Sequence, residues 1–296
     1  MSFAQILQQE DIPFDRNVAL KKYTTFRIGG DALYFVSPRS IEQAQRAMAL
    51  CLEHGITYRI LGKGSNVLIS DAGINGAVIY TAGLCKIENN GEYIKAECGV
   101  PLARLLKVSQ GAGLSGLEKL AGIPGSVGGA IYMNAGAYGQ SISDYIEQVD
   151  LWLPKASKLD SIEKSRCLFS YRQSVFMKSE GMITSALFRL SPASPNDIQQ
   201  AMTDILRQRA MKQPLSKPSA GSVFRRPPNA YASKVIDECG LKGKRFGDAM
   251  VSHKHAGFIV NMGRATYLDV VTLIDFIRQT VFVKTGILLE TEIEMW

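Results

Sequence analysis

The segment Leu120–Gly139, LAGIPGSVGGAIYMNAGAYG, limits what this chain can fold into more than any other stretch. It carries six of the chain's 27 glycines within twenty residues. Glycine loses more backbone freedom on folding than any other residue, and inside a helix or strand it costs about 0.5–1 kcal/mol relative to alanine. The segment therefore predicts tight turns, or a place where bare backbone comes very close to another group.

A second glycine turn, GKGSN at Gly62–Asn66, lies between predicted strands at Tyr58–Leu61 and Val67–Ile69. Successive N–H groups in such turns form concavities that bind anions. Neither turn matches the dinucleotide-binding or the Walker A pattern. Each turn alone is more typical of an ordinary tight turn than of a cofactor site. Together they favour a cradle for a diphosphate-containing cofactor.

Length and composition indicate a globular chain of several lobes. The chain has 296 residues, of which 46% are hydrophobic and 21% charged, and a chain of this length predicts two or three lobes. Mixed helix and strand patterns indicate an α+β fold class. The first residues lack a signal-peptide pattern, and no stretch approaches the roughly 20 apolar residues of a membrane span. We therefore expect a cytoplasmic protein with no membrane partner.

Helix signals predict several elements directly. Ser37 or Ser40 can cap a helix that ends near Gly55, and Ser40 with Gln43 fits a capping-box pattern. A second helix is predicted to begin at Pro195, and Ser191–Pro195 is the predicted domain boundary. A third is predicted over residues 266–284, followed by a closing strand over 286–296.

The positive charge of the chain is concentrated in one region. The net charge is +7, and the segment Asp204–Arg245, with ten Lys or Arg and three acids, accounts for the whole excess. Such a region attracts anions. A nucleic acid, a phosphorylated small molecule and an ordinary solvated basic face all remain open.

The cysteines and histidines do not indicate a metal site. The five cysteines are widely spaced and form no CxxC pair, so buried, reduced thiols are expected. His253 and His255 form an HxH pair, but no third ligand at suitable spacing is evident, and we expect no metal.

Seven motifs follow one another in order along nearly the whole chain. They are TTFRIGG at 24–30, LGKGSNVLISD at 61–71, LAGIPGSVGGAIYMNAGAYG at 120–139, FSYRQSVF at 169–176, PSAGSVFRRP at 218–227, GLKGKRFGDAMVSHKHAGFIVN at 240–261 and LLETEIE at 288–294. Together they resemble the motifs of the UDP-N-acetylenolpyruvoylglucosamine reductases (MurB). The segment between Tyr171 and the strand at Met182 is short, as in the type II members, which lack a tyrosine-bearing loop.

The resemblance implies a two-lobed FAD-binding region of the vanillyl-alcohol-oxidase type and a C-terminal α+β substrate domain. The implied boundaries are 1–80 and 81–192 for the two FAD-binding lobes and 193–296 for the substrate-binding domain. FAD is the implied bound cofactor and NADPH the co-substrate. The residues expected to bind the cofactor lie in the two glycine-rich turns and just after the second: Gly62, Lys63, Gly64, Ser65, Asn66, Ala121, Gly122, Ile123, Pro124, Gly125, Ser126, Gly128, Gly129, Ala130 and Asn134.

The resemblance also implies a reaction. NADPH reduces FAD, a hydride passes from flavin N5 to C3 of an enolpyruvyl ether on a UDP-sugar, and C2 then takes a proton, giving UDP-N-acetylmuramate. Arg172 and Glu292 are implied at the enolate and Ser222 as the proton donor. Residues implied to bind the substrate are Lys212, Arg225, Arg226 and His255. The expected partners are the UDP-sugar and NADPH, without nucleic acid, and the expected state is a monomer.

The chain departs from the family pattern at several positions, and two other functions remain open. Gln173 stands where many members have an acid, Arg225 and Arg226 stand where many have Lys-Asn or Lys-Arg, and His253 and Gly257 replace Glu and Asn. These changes affect expected substrate contacts and none of the implied catalytic residues. The alternatives are an FAD oxidase or dehydrogenase with another substrate, and a basic protein that binds nucleic acid without catalysis.

Overall fold

The computed structural model of the protein describes residues 2–296, which form two compact units. Unit 1 comprises the chain up to Asn17, Leu33–Lys63 and Asn75–Arg207. Unit 2 comprises Val18–Ala32, Gly64–Ile74 and Gln208–Trp296. Both units are therefore built from segments distant in sequence. The division into lobes at residues 80 and 192 stays a prediction.

The elements of residues 2–296 are mixed in type along the chain. The α-helices are α1 Phe3–Gln9, α2 Ile41–Glu53, α3 Leu102–Gly111, α4 Val127–Tyr132, α5 Pro195–Lys212, α6 Ala232–Glu238 and α7 Tyr267–Thr285. The β-strands are β1 Phe14–Ala19, β2 Asp31–Val36, β3 Tyr58–Leu61, β4 Val67–Leu68, β5 Ile74–Tyr80, β6 Ile87–Asn90, β7 Tyr93–Glu97, β8 Leu114–Ser115, β9 Gly136–Ala137, β10 Gln140–Ser141, β11 Ile146–Leu153, β12 Lys158–Glu163, β13 Met182–Arg189, β14 Ser191–Pro192, β15 Arg245–Phe246, β16 Ala249–Val251, β17 Ile259–Asn261 and β18 Glu294–Met295. The α+β fold class is confirmed.

Unit 1 is built around an antiparallel sheet in the order β12-β11-β13-β7-β6. Val149 of β11 pairs with Ala186 of β13, and Phe188 of β13 pairs with Ile94 of β7. All four side chains are buried. Most of a second sheet, β1-β2-β5-β3, also belongs to unit 1, and its strands β3 and β5 run parallel. The buried faces of these sheets and of α2 and α3 share one hydrophobic core.

Helix α2 begins where the sequence predicts, but its capping differs in detail. The Ser40 Oγ accepts the Gln43 N–H at 3.3 Å, as an N-cap should. The Gln43 side chain reaches past Ser40, however, and its Oε1 accepts the Arg39 N–H at 2.8 Å. In the predicted capping box the Gln43 side chain would accept the Ser40 N–H; here it accepts the N–H of the preceding residue, Arg39.

Unit 2 has its own core, formed around α6, α7 and the sheet β15-β16-β17. Thr266 caps α7 in a full capping box with Asp269, and the helix ends at Gly286, which has a φ of +72°. Buried residues along α7 contact the sheet side of this core; they are Val270, Leu273, Ile274, Ile277 and Val281.

The predicted closing strand over 286–296 is wrong for most of its length. Only Glu294–Met295 forms a strand, which pairs in parallel with β4. Earlier in this segment, Thr291 forms an isolated bridge with Phe224. Since the segment changes partner along its length, it cannot continue as one regular strand.

Two other expectations concern the cysteines and the membrane. All five cysteines are unpaired thiols, and four are buried, while Cys85 is half-buried. Burial raises the pKa of Cys51 and of Cys98 to about 12, so these thiols stay protonated. In the described part of the chain no helix is long and apolar enough to cross a membrane.

A buried carboxylate, Asp150 of β11, links its own strand to three others of the unit 1 sheet. Its oxygens accept hydrogen bonds from the Ser161 and Ser185 hydroxyls at 2.7 Å each. Its Oδ2 also lies 2.9 Å from the Lys95 Nζ. Burial alone would raise the pKa of Asp150, but the hydrogen bonds from Lys95 and the two serines outweigh it and lower the pKa to about 2.

Because this pKa lies below that of the unfolded chain, Asp150 stabilises the protein above about pH 4 and loses that effect as the pH falls toward 2. We expect the loss to be about 2 kcal/mol in the free energy of unfolding. Asp150→Asn should remove this part of the pH dependence and cost about 1–3 kcal/mol at pH 7, because the lysine and a serine lose an ionised acceptor. Denaturant unfolding between pH 2.5 and 7 measures both. Asp160→Asn, on the neighbouring strand with a partly exposed side chain, is the control and should change stability by less than about 0.5 kcal/mol.

Candidate active site

The second half of the glycine-rich segment, helix α4, packs closely on the chain that follows β7. The Gly128 N–H donates to the Cys98 carbonyl at 2.8 Å. A Cβ added at Gly128 would lie 2.8 Å from the Cys98 Cβ, which is too close for any side chain. Gly128 is therefore required by packing within unit 1, whatever it does for a ligand.

The first half of the segment lies against the other glycine turn. A Cβ added at Gly62 would lie 2.4 Å from the Oγ of Ser126, the N-cap of α4. Unit 1 therefore brings the start of the turn Gly62–Asn66 directly beside the N-terminus of α4.

The residues before α4 have alternating exposure: Ala121 is buried, Gly122 and Pro124 are exposed, and Ile123 and Gly125 are half-buried. Gly129 is exposed and Ala130 is buried.

The turn continues into unit 2, where Gly64 has no room for a side chain. Its φ is +61°, and an added Cβ would lie 2.1 Å from the Tyr23 carbonyl oxygen. Among the described residues, no hydrogen bond engages the backbone N–H of Lys63, Gly64 or Ser65. The turn thus presents consecutive donors that can bind an anion.

Arg172 occupies the tip of a loop in unit 1 that is held from two sides. Ser170 and Gln173 exchange backbone hydrogen bonds of 3.1 and 3.2 Å, which fold the loop back on itself. Arg172 itself has a φ of +54°, and its Nη2 donates to the Gly136 carbonyl at 3.0 Å. The guanidinium also lies 5.2 Å from the centre of the Tyr171 ring. The loop therefore orients Arg172 before any ligand binds.

In unit 2, the hydroxyl of Ser222 and the imidazole of His255 flank the backbone of Gly257. A Cβ added at Gly257 would lie 3.2 Å from the Ser222 Oγ and 3.1 Å from the His255 Cε1. The His255 Nδ1 accepts the Gly257 N–H at 3.2 Å, so in the neutral ring Nε2 carries the proton. Burial lowers the pKa of His255, and the charge of Lys242 lowers it further. His255 is therefore a neutral donor at pH 7.

The backbone of Glu292 forms hydrogen bonds in unit 2 with Asn66 and with Val223, the residue after Ser222. Its N–H donates to the Val223 carbonyl at 2.7 Å, next to Ser222. Its carbonyl accepts a hydrogen bond from the Asn66 Nδ2 at 3.3 Å. Asn66, Ser222 and Glu292, which lie far apart in sequence, are thus held in one part of this unit.

The predicted substrate-binding cations differ in what they contact. Arg225 is half-buried; its Nη1 lies 3.9 Å from the Glu290 Oε2, and its buried Nε has no hydrogen-bond partner among the described residues. Arg226 is exposed and lies 4.5 Å from the Tyr231 ring centre. Lys212, the last residue of α5, is exposed. Arg225 therefore offers a ligand a buried Nε–H donor that no described residue accepts.

Three contacts at the Arg172 loop were not predicted from the sequence. Ser174 Oγ donates to the Tyr132 carbonyl at 2.7 Å, and Asn134 Nδ2 donates to the Ser170 carbonyl at 2.8 Å. The third is the Arg172–Gly136 contact. The partners are 36 to 42 residues apart in sequence, so no local pattern signals them.

Two family models match this chain. Residues 213–296 match the C-terminal domain of UDP-N-acetylenolpyruvoylglucosamine reductase, and residues 32–160 match an FAD binding domain. A crystal structure of UDP-N-acetylenolpyruvylglucosamine reductase (MurB) from Thermus caldophilus superposes with a TM-score of 0.82 at 34% identity, covering 96% of this chain and 99% of that chain.

Curated relatives match over nearly the full length. The UDP-N-acetylenolpyruvoylglucosamine reductase of Caldicellulosiruptor bescii is 44% identical over 99% of this chain and 94% of its own length. The chain belongs to the UDP-N-acetylenolpyruvoylglucosamine reductase family. The reductase of Listeria monocytogenes is 43% identical over 94% of this chain and 93% of its own length.

Membership of the reductase family confirms several expectations from the sequence. The chain is an FAD-dependent oxidoreductase, and the family resemblance read from the seven motifs is correct. The fold expectation of an FAD-binding region followed by the C-terminal domain of a reductase of this family is also confirmed.

The residues present fit an FAD. Its pyrophosphate needs N–H donors and close backbone approach, and the turn at Lys63–Ser65 offers consecutive N–H groups without an acceptor. A Cβ added at Gly64 would meet the Tyr23 backbone carbonyl, and one added at Gly62 would displace the Ser126 hydroxyl. The residues of this turn would hold the diphosphate.

Gly64→Ala tests this fit. The added Cβ meets a backbone carbonyl, so the turn must move; we expect about 2–4 kcal/mol of destabilisation and a large loss of FAD affinity. The visible absorption of the purified protein and its unfolding temperature with added FAD measure these effects.

Gly91→Ala is the matched control, because Gly91 has the same φ of +61° but no atom within 4 Å of an added Cβ. It should cost about 1 kcal/mol through the left-handed backbone alone and leave FAD bound. If Gly64→Ala bound FAD as tightly as Gly91→Ala does, the turn would not contact the cofactor.

Proposed function

We propose that this protein reduces UDP-N-acetylglucosamine enolpyruvate to UDP-N-acetylmuramate, with NADPH as co-substrate, in peptidoglycan precursor synthesis. The observation that carries the proposal is the 44% identity over 99% of the chain to a curated UDP-N-acetylenolpyruvoylglucosamine reductase. When bound, FAD supplies the hydride that C3 of the enolpyruvyl group receives. The protein's own residues must then bind the substrate, stabilise the negative charge that develops on it and deliver a proton to C2.

Arg172 is the proposed group that stabilises the developing negative charge on the substrate carboxylate. A cation is most effective when it is oriented beforehand, because no reorganisation is then needed during the reaction. The left-handed backbone at Arg172 and the bond to the Gly136 carbonyl supply that orientation. We assign Glu292 to the same reacting group.

Ser222 is the proposed proton donor to C2. A serine hydroxyl is a weak acid, but it can serve when the acceptor is a strongly basic enolate carbon and the resulting alkoxide is stabilised. Arg225 or Lys212 is proposed to provide that stabilisation. His255 flanks the same glycine as Ser222 and is proposed to contact the substrate through its Nε2–H.

The basic segment is proposed to bind the diphosphate of the substrate through Arg225, Arg226 and Lys212. Several other cations of the segment already have acidic neighbours: Lys234 lies 3.7 Å from Glu238, and Lys242 lies 2.6 Å from Asp237. This local pairing argues against a long uncompensated surface for nucleic acid and favours a small anionic substrate.

We further propose that residues 1–80 and 81–192 are the two FAD-binding lobes and 193–296 the substrate-binding domain. The enzyme is proposed to act as a monomer and in the cytoplasm, because its proposed substrates are small nucleotide-linked molecules.

Ser222→Ala tests the proposed proton donor. With FAD bound, we expect the variant to be reduced by NADPH as fast as the wild type, because Ser222 takes no part in that step. Reoxidation of the reduced enzyme by the enolpyruvyl UDP-sugar should slow by about 100-fold or more, because general acid catalysis contributes roughly that much. Anaerobic stopped-flow absorption measures the two half-reactions separately.

Ser216→Ala is the control, because Ser216 is an exposed serine in the same loop region, and both of its half-reactions should be unchanged. Wild-type reoxidation in Ser222→Ala would remove the serine from the chemistry. A wild-type enzyme that NADPH reduces but the enolpyruvyl UDP-sugar does not reoxidise would overturn the proposed substrate.

A further inference from the structure

Asn134, in the glycine-rich segment, is buried and already engaged by the protein. It lies directly after α4, is 4% exposed and has a φ of +43°. Its Nδ2 donates to the Ser170 carbonyl at 2.8 Å, and its Oδ1 accepts the Ser143 N–H at 3.4 Å. Both ends of the amide are therefore used within unit 1.

The Ser170 carbonyl that Asn134 binds belongs to the base of the Arg172 loop. Ser170 also pairs with Gln173 in both directions through the backbone. A bond to Ser170 therefore acts on the closed loop as a whole. Ser174, just beyond the loop, is tied to the same segment through the Tyr132 carbonyl.

Residues 132–136 thus contact the Arg172 loop at three points: before the loop through Asn134, at its tip through the Gly136 carbonyl, and after it through the Tyr132 carbonyl. Of these three, only the Asn134 contact comes from a side chain of the segment. It is the contact that a substitution in the segment can remove.

The residue type at position 134 follows from two requirements. A left-handed backbone is tolerated by Gly, Asn and Asp far better than by other residues. The Ser170 carbonyl requires an N–H donor, which Gly and Asp side chains lack. Asparagine alone of these three meets both requirements.

We propose that Asn134 is a positioning residue that fixes the Arg172 loop, rather than a residue that contacts FAD. Its effect on the reaction passes through the Arg172 guanidinium. This inference rests on the proposed function, because that function assigns Arg172 to the substrate carboxylate. FAD binding and its reduction by NADPH do not depend on Asn134.

The test uses Asn134→Asp and Asn134→Gly in the FAD-loaded protein. Both keep a residue that tolerates the left-handed backbone, and both remove the donor to Ser170. We expect flavin absorption and the rate of reduction by NADPH to stay within about twofold of wild type. Reoxidation by the enolpyruvyl UDP-sugar should slow by about 10- to 100-fold, because a misplacement of about 1 Å can have that effect. Asn17→Asp, an exposed asparagine with a φ of +53°, is the control and should change neither rate.

A second readout does not depend on activity. Amide hydrogen exchange in peptides covering 168–176 should speed up by tenfold or more in both variants and stay unchanged in Asn17→Asp. If the wild-type enzyme were not reoxidised by the enolpyruvyl UDP-sugar, the proposed function would fail, yet the exchange rates would still decide whether Asn134 fixes the loop.

A double-mutant cycle separates positioning from an independent role. In an Arg172→Ala background, Asn134→Asp should slow reoxidation by less than about twofold more, because its effect requires the guanidinium. If the double variant were instead slowed by the product of the two single-variant factors, the proposal would be overturned. So would unchanged exchange in 168–176, or a loss of FAD from Asn134→Asp with the loop still protected.

Discussion

The contact between Gly62 and Ser126 is the constraint on which the candidate site of unit 1 depends. A Cβ added at Gly62 would lie 2.4 Å from the Ser126 Oγ, so the first glycine turn lies directly against the N-cap side chain of α4. On one side of this contact, Gly128 fastens α4 to Cys98. On the other side, the turn runs on to Gly64, where an added Cβ would meet the Tyr23 backbone. A larger residue at Gly62 would displace the Ser126 hydroxyl, which caps α4.

Helix α4 also lies next to the segment that holds the Arg172 loop. The residues just after α4 hold that loop through backbone carbonyls and one amide side chain. A shift of α4 would consequently be transmitted to the guanidinium as well as to the bare turns. One short helix thus links the two glycine turns to the Arg172 guanidinium within unit 1.

Sequence reasoning succeeds where the signal is local. Pro195 marks the start of α5, and Thr266 and Gly286 bound α7, because caps and left-handed ends are read from a few neighbouring residues. The closing strand failed because alternating Glu290, Glu292 and Glu294 resemble a strand face, whereas pairing partners are supplied by distant segments. The family resemblance identified the reaction, but the contacts of Asn134 and Ser174 depend on tertiary structure alone.

The backbone conformation of the site is the feature that amino-acid composition predicts least well. Nine residues other than glycine in 2–296 have positive φ, and several, such as Asn17 and Asn229, lie at the surface, where asparagine tolerates it. Arg172, like Arg27, Tyr138 and Leu168, has no side-chain group suited to stabilising a left-handed backbone, which costs roughly 1–3 kcal/mol. At Arg172 the paired bonds of Ser170 with Gln173 and the Gly136 contact offset that cost. A strained residue held by so many contacts is expected where its orientation matters to function, which supports the role proposed for Arg172.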